Sequence, residues 1–385
     1  MRTKLLTTLP LASAAALALA AAIPAGADAP AAAPKVQYSG IFDGYYAYQF
    51  NNPKTNLLGF RNYDFRHNTP TLALGELNVF MAPTPEKVTF KATLGAGDIA
   101  ETNGGGGYGA SASATHEGQF KSLMQAYVTY TAKSGAGVDF GKFYTPIGYE
   151  LTESNLNFNE THSVPFAIIP FYHFGVRAYT PSMKGVVLTG YVVNSVYNTP
   201  VSGVENDAKT ASFVGSAFWT DPKGKWIIGD SFGFGKNKFN LSGGIDPTKN
   251  SVTVNDTDVT YNFDASNIGG LDYTYAQTKP DSGSANPKVT DNAWAIYFKH
   301  ILTPKSDFAL RYSGGEFKVD TPGATRTKPW EATATYEVHP SSNFLYRLEY
   351  QHSGSNVGTF ASSSGAFDKK SQDIVEVAGV FSFAG

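Results

Sequence analysis

Trp330-Glu331-Ala332-Thr333-Ala334-Thr335-Tyr336-Glu337-Val338 alternates without a fault. Trp330, Ala332, Ala334, Tyr336 and Val338 are apolar or aromatic, and every residue between them is an acid or a threonine. Successive side chains of a strand point to opposite faces, so this run has one greasy face and one polar face. After a link at 339–341 the pattern resumes, with Phe344, Tyr346, Leu348 and Tyr350 against Leu345, Arg347, Glu349 and Gln351. Two such runs joined by a short turn read as an antiparallel hairpin.

Working outward, the same period of two recurs almost everywhere. Even positions of 37–50 are Tyr38, Gly40, Phe42, Gly44, Tyr46, Tyr48 and Phe50, against Gln37, Ser39, Asp43 and Gln49. Sixteen segments are expected, near 37–50, 72–82, 87–97, 120–132, 136–143, 172–180, 184–194, 211–220, 225–235, 250–263, 267–278, 291–302, 306–318, 329–338, 342–352 and 372–383. The alternation is weakest in the eighth to tenth of them.

The links alternate short and long. Short ones fall at 83–86, 134–135, 181–184, 221–224, 265–266, 303–305 and 339–341, with Pro, Gly, Asp and Ser where tight turns need them. Long ones fall near 51–71, 98–119, 144–171, 195–210, 236–249, 279–290, 319–328 and 353–371. Short links on one rim and long links on the other describe an up-and-down antiparallel barrel that crosses a membrane. A soluble sandwich has no reason to sort its loops by length.

Charge parity agrees. Asp43, Glu76, Lys91, Lys121, Arg177, Asp272, Lys299, Arg311, Glu331, Glu337, Arg347, Glu349 and Glu376 lie on the face opposite the apolar one. A Lys or Arg facing lipid at mid-depth costs ~2–4 kcal/mol, so ionised groups are expected inside. A barrel of about sixteen strands is too wide for wall side chains to fill. Trp219 and Trp226 flank the 221–224 turn, while Trp294 and Trp330 sit near long-loop ends, as boundary aromatics do.

The N-terminus reads as an export signal. Arg2 and Lys4 precede a Leu/Ala run to Ala22, and Ala25-Gly26-Ala27 supplies small residues for cleavage. The expected organisation is a signal peptide at 1–27, a flexible spacer at 28–36 and a barrel at 37–385. No later run approaches ~18 apolar residues. Without Arg2 and Lys4 the chain carries 28 basic and 32 acidic residues, too balanced for a nucleic-acid binder. With no cysteine there is neither a disulfide framework nor a thiolate metal site.

Gly141-Lys142-Phe143-Tyr144-Thr145-Pro146-Ile147-Gly148-Tyr149-Glu150 interrupts the pattern, because Pro146 cannot donate to a ladder. This stretch resembles a signature of the β-barrel porin family of OmpL-like outer-membrane proteins. Similar features are Tyr38-Ser39-Gly40 with Asp43-Gly44-Tyr45, Arg61-Asn62-Tyr63-Asp64, His173-Phe174-Gly175-Val176-Arg177 and Arg347-Leu348-Glu349-Tyr350. The resemblance spans most of the chain after the leader. It implies an outer-membrane barrel with a solute channel, and it carries over no catalytic residue, cofactor or defined substrate. The chain departs from many such barrels in ending two residues past its last Phe, at Phe383-Ala384-Gly385.

By analogy with sixteen-stranded porins, the third long loop at 144–171 folds into the lumen, and trimerisation follows by the same analogy. Glu150, Glu153 and Glu160 on that loop are expected to face Arg177, Arg311 and Arg347 on the wall, a transverse field that sorts polar solutes. The parity of Lys142 leaves its side open. The expected partners are outer-membrane lipids outside and small hydrophilic solutes or ions inside.

Enzymatic readings are thin. Gly104, Gly106 and Gly109 have a nucleotide-loop spacing, but no helix pattern follows. Asn255-Asp256-Thr257-Asp258 lacks the Gly and terminal Glu of a calcium loop. His352-Ser353-Gly354-Ser355 places a His beside serines, as in an outer-membrane lipid hydrolase, but no residue to orient the His is evident. The main rival to an open porin is a plugged structural or adhesive surface barrel.

Overall fold

The structure is a computed structural model that describes residues 35–54, 58–59, 61–103, 122–197, 210–240, 244–282 and 287–385. The expected leader at 1–27, most of the spacer, the glycines at 104–109 and Lys121 lie outside the described residues.

The strands are β1 (Val36–Gln49), β2 (Thr71–Met81), β3 (Val88–Ala96), β4 (Leu123–Thr131), β5 (Gly137–Tyr144), β6 (Tyr172–Tyr179), β7 (Val186–Val193) and β8 (Ser212–Thr220). They continue as β9 (Trp226–Asn240), β10 (Gly244–Asn262), β11 (Asn267–Pro280), β12 (Val289–Thr303), β13 (Ser306–Val319), β14 (Pro329–Ser341), β15 (Phe344–Ser355) and β16 (Ser371–Ala384). A short helix α1 (Asp98–Asn103) follows β3, and two 3₁₀ turns, η1 (Ser154–Leu156) and η2 (Pro165–Ile168), lie between β5 and β6. Each strand pairs antiparallel with its neighbours in sequence, and β1 closes on β16 with Asp43 opposite Val380. Closure leaves no unpaired edge, which is what lets strands cross hydrocarbon.

One rim is made by tight turns. In the link from β8 to β9, Asp221 Oδ2 accepts the Lys223 and Lys225 amides at 3.2 Å each, and Gly224 takes φ +69°. Asp264 does the same between β10 and β11, accepting from the Ser266 and Asn267 amides at 2.8 and 2.9 Å.

One expected boundary is wrong. The long link near 236–249 is mostly strand, because β9 runs to Asn240 and β10 starts at Gly244. Apolar alternation marks only the part of a hairpin that lies in lipid, and backbone pairing carries this one beyond it.

The sidedness is as charge parity implied. Tyr38, Phe42, Leu77, Phe140, Ile296, Leu348 and Val377 stand exposed on the outer face. Asp43, Glu76, Asp272, Lys299, Arg311, Glu331, Arg347 and Glu376 are inward and buried. Part of the inner wall departs from that pattern. Val193, Val214, Val252 and Val254 also face inward and belong to one buried apolar cluster with Ile147, Phe166, Ile168 and Ile169 of the third loop. A strand that is apolar inside and outside loses its alternation, which is why the eighth to tenth segments read poorly.

Candidate functional site: the filled lumen and its open side

The segment from 145 to 171 runs through the barrel interior. Gly141, within β5, and Gly148, at the start of the inward segment, take φ +140° and +112°, where a side chain is strained. A Cβ on Gly141 would meet the Ala126 carbonyl oxygen, and one on Gly148 would meet the Ile169 side chain. These are two of the glycines in the quoted motif, so each has a geometric reason.

Two arginines of the wall hold the loop. Arg311 Nη1 lies 3.0 Å from Glu150 Oε1, and its Nε lies 2.8 Å from Glu331 Oε1. Arg311 also donates to the Thr161 carbonyl oxygen and, at 2.9 Å, to Thr161 Oγ1. Glu150 Oε2 accepts from the Ser163 amide and hydroxyl at 2.7 Å each. Arg347 Nη1 lies 3.1 Å from Glu160 Oε2 and donates to the Ser154 carbonyl at 2.8 Å, while Nη2 donates to the Asn157 carbonyl at 2.9 Å. Its Nε pairs with Glu337 at 2.5 Å. Glu349 accepts the Glu160 amide at 2.8 Å, and Ser313 Oγ accepts the Val164 amide at 3.1 Å. Across the lumen, Asp256 Oδ1 accepts the Gly148 amide at 3.2 Å. Tyr149 stacks on Tyr297 with ring centres 4.6 Å apart.

Two neighbours thicken this plug. Arg61, in the first long loop, pairs with Glu376 at 2.9 Å and with Asp64. Tyr63 packs edge-on against His162 and Phe166 at 5.0 and 5.4 Å, and donates to Asn103 of α1 at 2.8 Å. Arg61 and Tyr63 were not picked as site residues from the sequence. The available signal was their place in the Arg-Asn-Tyr-Asp motif of an otherwise unpatterned loop.

The six candidates therefore separate. Glu150 with Arg311 and Glu160 with Arg347 meet in direct contact, and their side chains are 0 to 4 % exposed. They neutralise each other inside the packing and do not face each other across water. Arg177 does not meet the loop carboxylates. It pairs with Asp139 on the adjacent strand and lies 4.9 and 4.8 Å from the Tyr127 and Phe143 ring centres. Glu153 is half-buried while Glu150 and Glu160 are buried, and Lys91 and Glu76 are its electrostatic neighbours. Burial pushes the Glu153 carboxyl above its ordinary value, with Lys91 opposing. Burial raises Glu150 and Glu160 likewise, against Arg311 and Arg347 respectively. His162 is pulled down to about 4 by burial, and it donates from Nε2 to the Leu151 carbonyl at 2.7 Å.

What remains accessible inside is one side of the barrel. Asn78, Lys91, Tyr127, Arg177, Tyr179 and Thr189, on β2 to β7, keep partial exposure. At comparable height on the other strands Phe218, Lys299, Glu337 and Arg347 are buried. The loop thus lies against β8–β16 and β1, and leaves a basic, aromatic-lined inner surface on β2–β7.

Outside the lumen, His352 Nδ1 lies 2.8 Å from Asp373 Oδ1 on the lipid-facing side, so the His does have an orienting carboxylate. Ser353 and Ser355 are buried on the lumen side, leaving that pair without either neighbouring serine as a nucleophile. Asn255 and Thr257 point outward while Asp256 and Asp258 point inward, so that run cannot close around a cation.

No curated protein matches the chain. Among solved structures, OmpT of Vibrio cholerae superposes with a TM-score of 0.59 at 9% identity, over 92% of this chain and 99% of that one. An anion-selective porin from Comamonas acidovorans gives 0.58 at 12%, over 91% and 100%. The outer membrane channel DcaP of Acinetobacter baumannii gives 0.58 at 13%, over 90% and 97%. At such identities the likeness is one of fold. The family described as "Putative beta-barrel porin-2, OmpL-like" matches residues 35–383. The chain belongs to that family and is a porin-type β-barrel of the outer membrane.

Proposed function

We propose that the barrel is a passive diffusion porin for small hydrophilic solutes or ions, whose path runs between the docked third loop and the inner wall of β2–β7. The observation that carries this is the one-sided docking. Inward side chains of β8–β16 are covered, while Asn78, Lys91 and Arg177 on β2–β7 keep partial exposure beside buried neighbours such as Glu76, Gln125 and Asp139. Glu153, Lys91 and Arg177 would set the field that a solute meets. Glu150, Glu160, Arg311 and Arg347 would hold the loop in place. Transport needs no covalent step or cofactor, and no enzymatic role is proposed. The expected leader at 1–27 fits export.

A plugged structural barrel is the second reading, favoured by how completely three loop segments pack the interior. Single-channel recording in planar bilayers under a salt gradient separates the two. Stepwise currents whose reversal potential moves with Glu153→Gln and with Lys91→Gln support the porin. A folded, inserted barrel that stays silent supports the plug. For oligomeric state, one neighbour is described as a trimer form of OmpT, and a homotrimer is proposed here on that analogy alone.

A further inference from the structure

Three acids inside the barrel have no cation beside them. Asp256 and Asp258 on β10 and Asp272 on β11 point inward and are 0, 1 and 2% exposed. Asp272 lies directly opposite Asp258, and Asp256 lies opposite Thr274, one step along the same inner face. Residues paired in this way have Cβ atoms ~4.5–5.5 Å apart. Asp256 and Asp272 are within hydrogen-bonding reach of each other. The charges that act on the three among the described residues are carboxylates, namely Asp230, Glu150 and one another. Other buried acids of the lumen do meet a cation. Glu150 and Glu331 share Arg311, and Glu160 and Glu337 share Arg347. Asp307, Glu337 and His339 crowd together near the 339–341 turn, but Lys299 Nζ lies 3.1 Å from Asp307 and 3.4 Å from Glu337 and serves them as cation.

Hydrogen-bond donors do not make up the difference. Asp256 accepts the Gly148 amide at 3.2 Å and the Thr274 hydroxyl at 2.6 Å. That hydroxyl has a single proton, so its 3.5 Å contact with Asp272 is not a second bond. Asp258 accepts nothing from the described residues, and its buried Oδ2 has no partner among them. The inner row continues across β9 and β8 with Ser231, opposite Asp256, and Ser216, opposite Ser231. Both serine oxygens are buried and without a partner among the described residues. The third loop seals this polar island. Gly148 is bonded to it, and Tyr149 Oη lies 3.2 Å from Thr260 Oγ1, one step further along β10. On the opposite side of the row, Val214 and Val254 pack in one apolar cluster with Ile147.

A buried charge is tolerated where it is paired or bound to a metal. We propose that this island is a cation site, which holds one Ca²⁺ between the wall of β9–β11 and the third loop. Every ligand on offer is an oxygen, which selects a hard cation over zinc or copper. Three carboxylates call for a divalent ion over Na⁺ or K⁺. Ca²⁺ takes roughly 6–8 oxygens in irregular arrangements, whereas Mg²⁺ demands an octahedron and keeps several waters, so a cage of fixed wall residues suits Ca²⁺. Asp256 and Asp272 are its charged ligands, the Ser231 and Thr274 hydroxyls its neutral ones, and Asp258 supplies the third charge. A proton shared by Asp256 and Asp272 would settle that pair alone, and leave Asp258 and both serine oxygens as they are. The run 255–258 cannot close around an ion, but its inward half does so together with β9 and β11. The ion fixes the loop at Gly148, as Arg311 and Arg347 fix it further along. The site lies on the covered side of the lumen, away from the accessible surface of β2–β7.

The test uses full-length protein refolded into non-ionic detergent free of lipopolysaccharide, whose phosphates bind Ca²⁺ themselves. Refolding is done in EGTA, and in CaCl₂, MgCl₂ or NaCl, followed by gel filtration and bound-metal analysis. The expected result is one Ca²⁺ per chain, retained in excess NaCl and held more tightly than Mg²⁺, with slower hydrogen exchange across 144–151 in Ca²⁺ than in EGTA. Asp272→Asn is expected to weaken Ca²⁺ binding by ~10-fold or more. In EGTA the same variant is at least as heat-resistant as wild type, because one repelling charge is gone. Asp320→Asn, at an exposed acid paired with Lys318, binds as wild type does. Should Asp272→Asn fail to fold, Ser231→Ala, which leaves the charge unchanged, carries the same expectation of weaker binding. Wild type that binds no Ca²⁺, binding untouched by Asp272→Asn or by Ser231→Ala, or a loop whose exchange slows as pH falls and ignores Ca²⁺, as a shared proton requires, overturns the proposal. None of these readouts depends on whether the lumen conducts.

Discussion

Arg347 shows what one side chain does in the lumen. It ties β15 to Glu337 on β14 and to Glu160, Ser154 and Asn157 on the loop. Arg347→Ala leaves the buried Glu160 without its cation, while Glu337 keeps Lys299 and His339, a loss on the order of 3–5 kcal/mol. The loop is then expected to undock, seen as larger and noisier single-channel currents and faster hydrogen exchange across 144–171. Exposure separates the acids by a different readout. Glu153→Gln is expected to shift the reversal potential under a salt gradient, whereas Glu150→Gln and Glu160→Gln leave it in place, because those carboxylates are covered. His162 gives a pH dependence of known sign. Burial lowers its folded value from 6.5 to about 4, so the neutral ring is the docked form. Its contribution is present above about pH 6.5 and is lost as pH falls toward 4. The raised carboxyls nearby titrate with the opposite sign, so the comparison is between wild type and His162→Asn. Hydrogen exchange of 144–171 should rise more for wild type than for the variant across that window.

At the scale of elements, Gly141 is the position in β5 where β4 and β6 pair closely around a residue without a side chain. Its φ of +140° and the Ala126 carbonyl beside it exclude a side chain. Gly141→Ala is expected to disturb the β4–β5 pairing and lower the yield of heat-modifiable barrel, while alanine at the open Gly190 position does not. The strands themselves were largely legible, because a lipid-facing side chain every second residue is a strong periodic signal. Trp330 to Val338 could be read from nine residues alone. β8 to β10 were harder, since Val214, Val252 and Val254 face Ile147 and its neighbours and not water. The third loop's path was an analogy, and its partners were only half legible. The sequence set loop acids against wall arginines across a gap, and Glu150–Arg311 and Glu160–Arg347 instead meet in buried direct contact. Arg177 found Asp139 instead, because its adjacent strand presents that acid directly opposite, at register Asp139–Arg177. No local pattern tells which of several inward acids a loop will reach.

For the whole molecule, sidedness was the most legible property and the filling of the lumen the least. Alternation tells which face of each strand meets lipid, but not how much of the opposite face meets water. The same parity that put Arg311 and Arg347 inside left open that they would be sealed under a loop. The most direct measurement is single-channel recording of purified full-length protein in planar bilayers, with folding checked by heat-modifiable mobility. The predicted result is stepwise conductance with an ion preference altered by Glu153→Gln and by Lys91→Gln but not by Glu150→Gln. Silence from a folded, inserted barrel, or an ion preference that follows Glu150 and ignores Glu153, contradicts a water path along β2–β7.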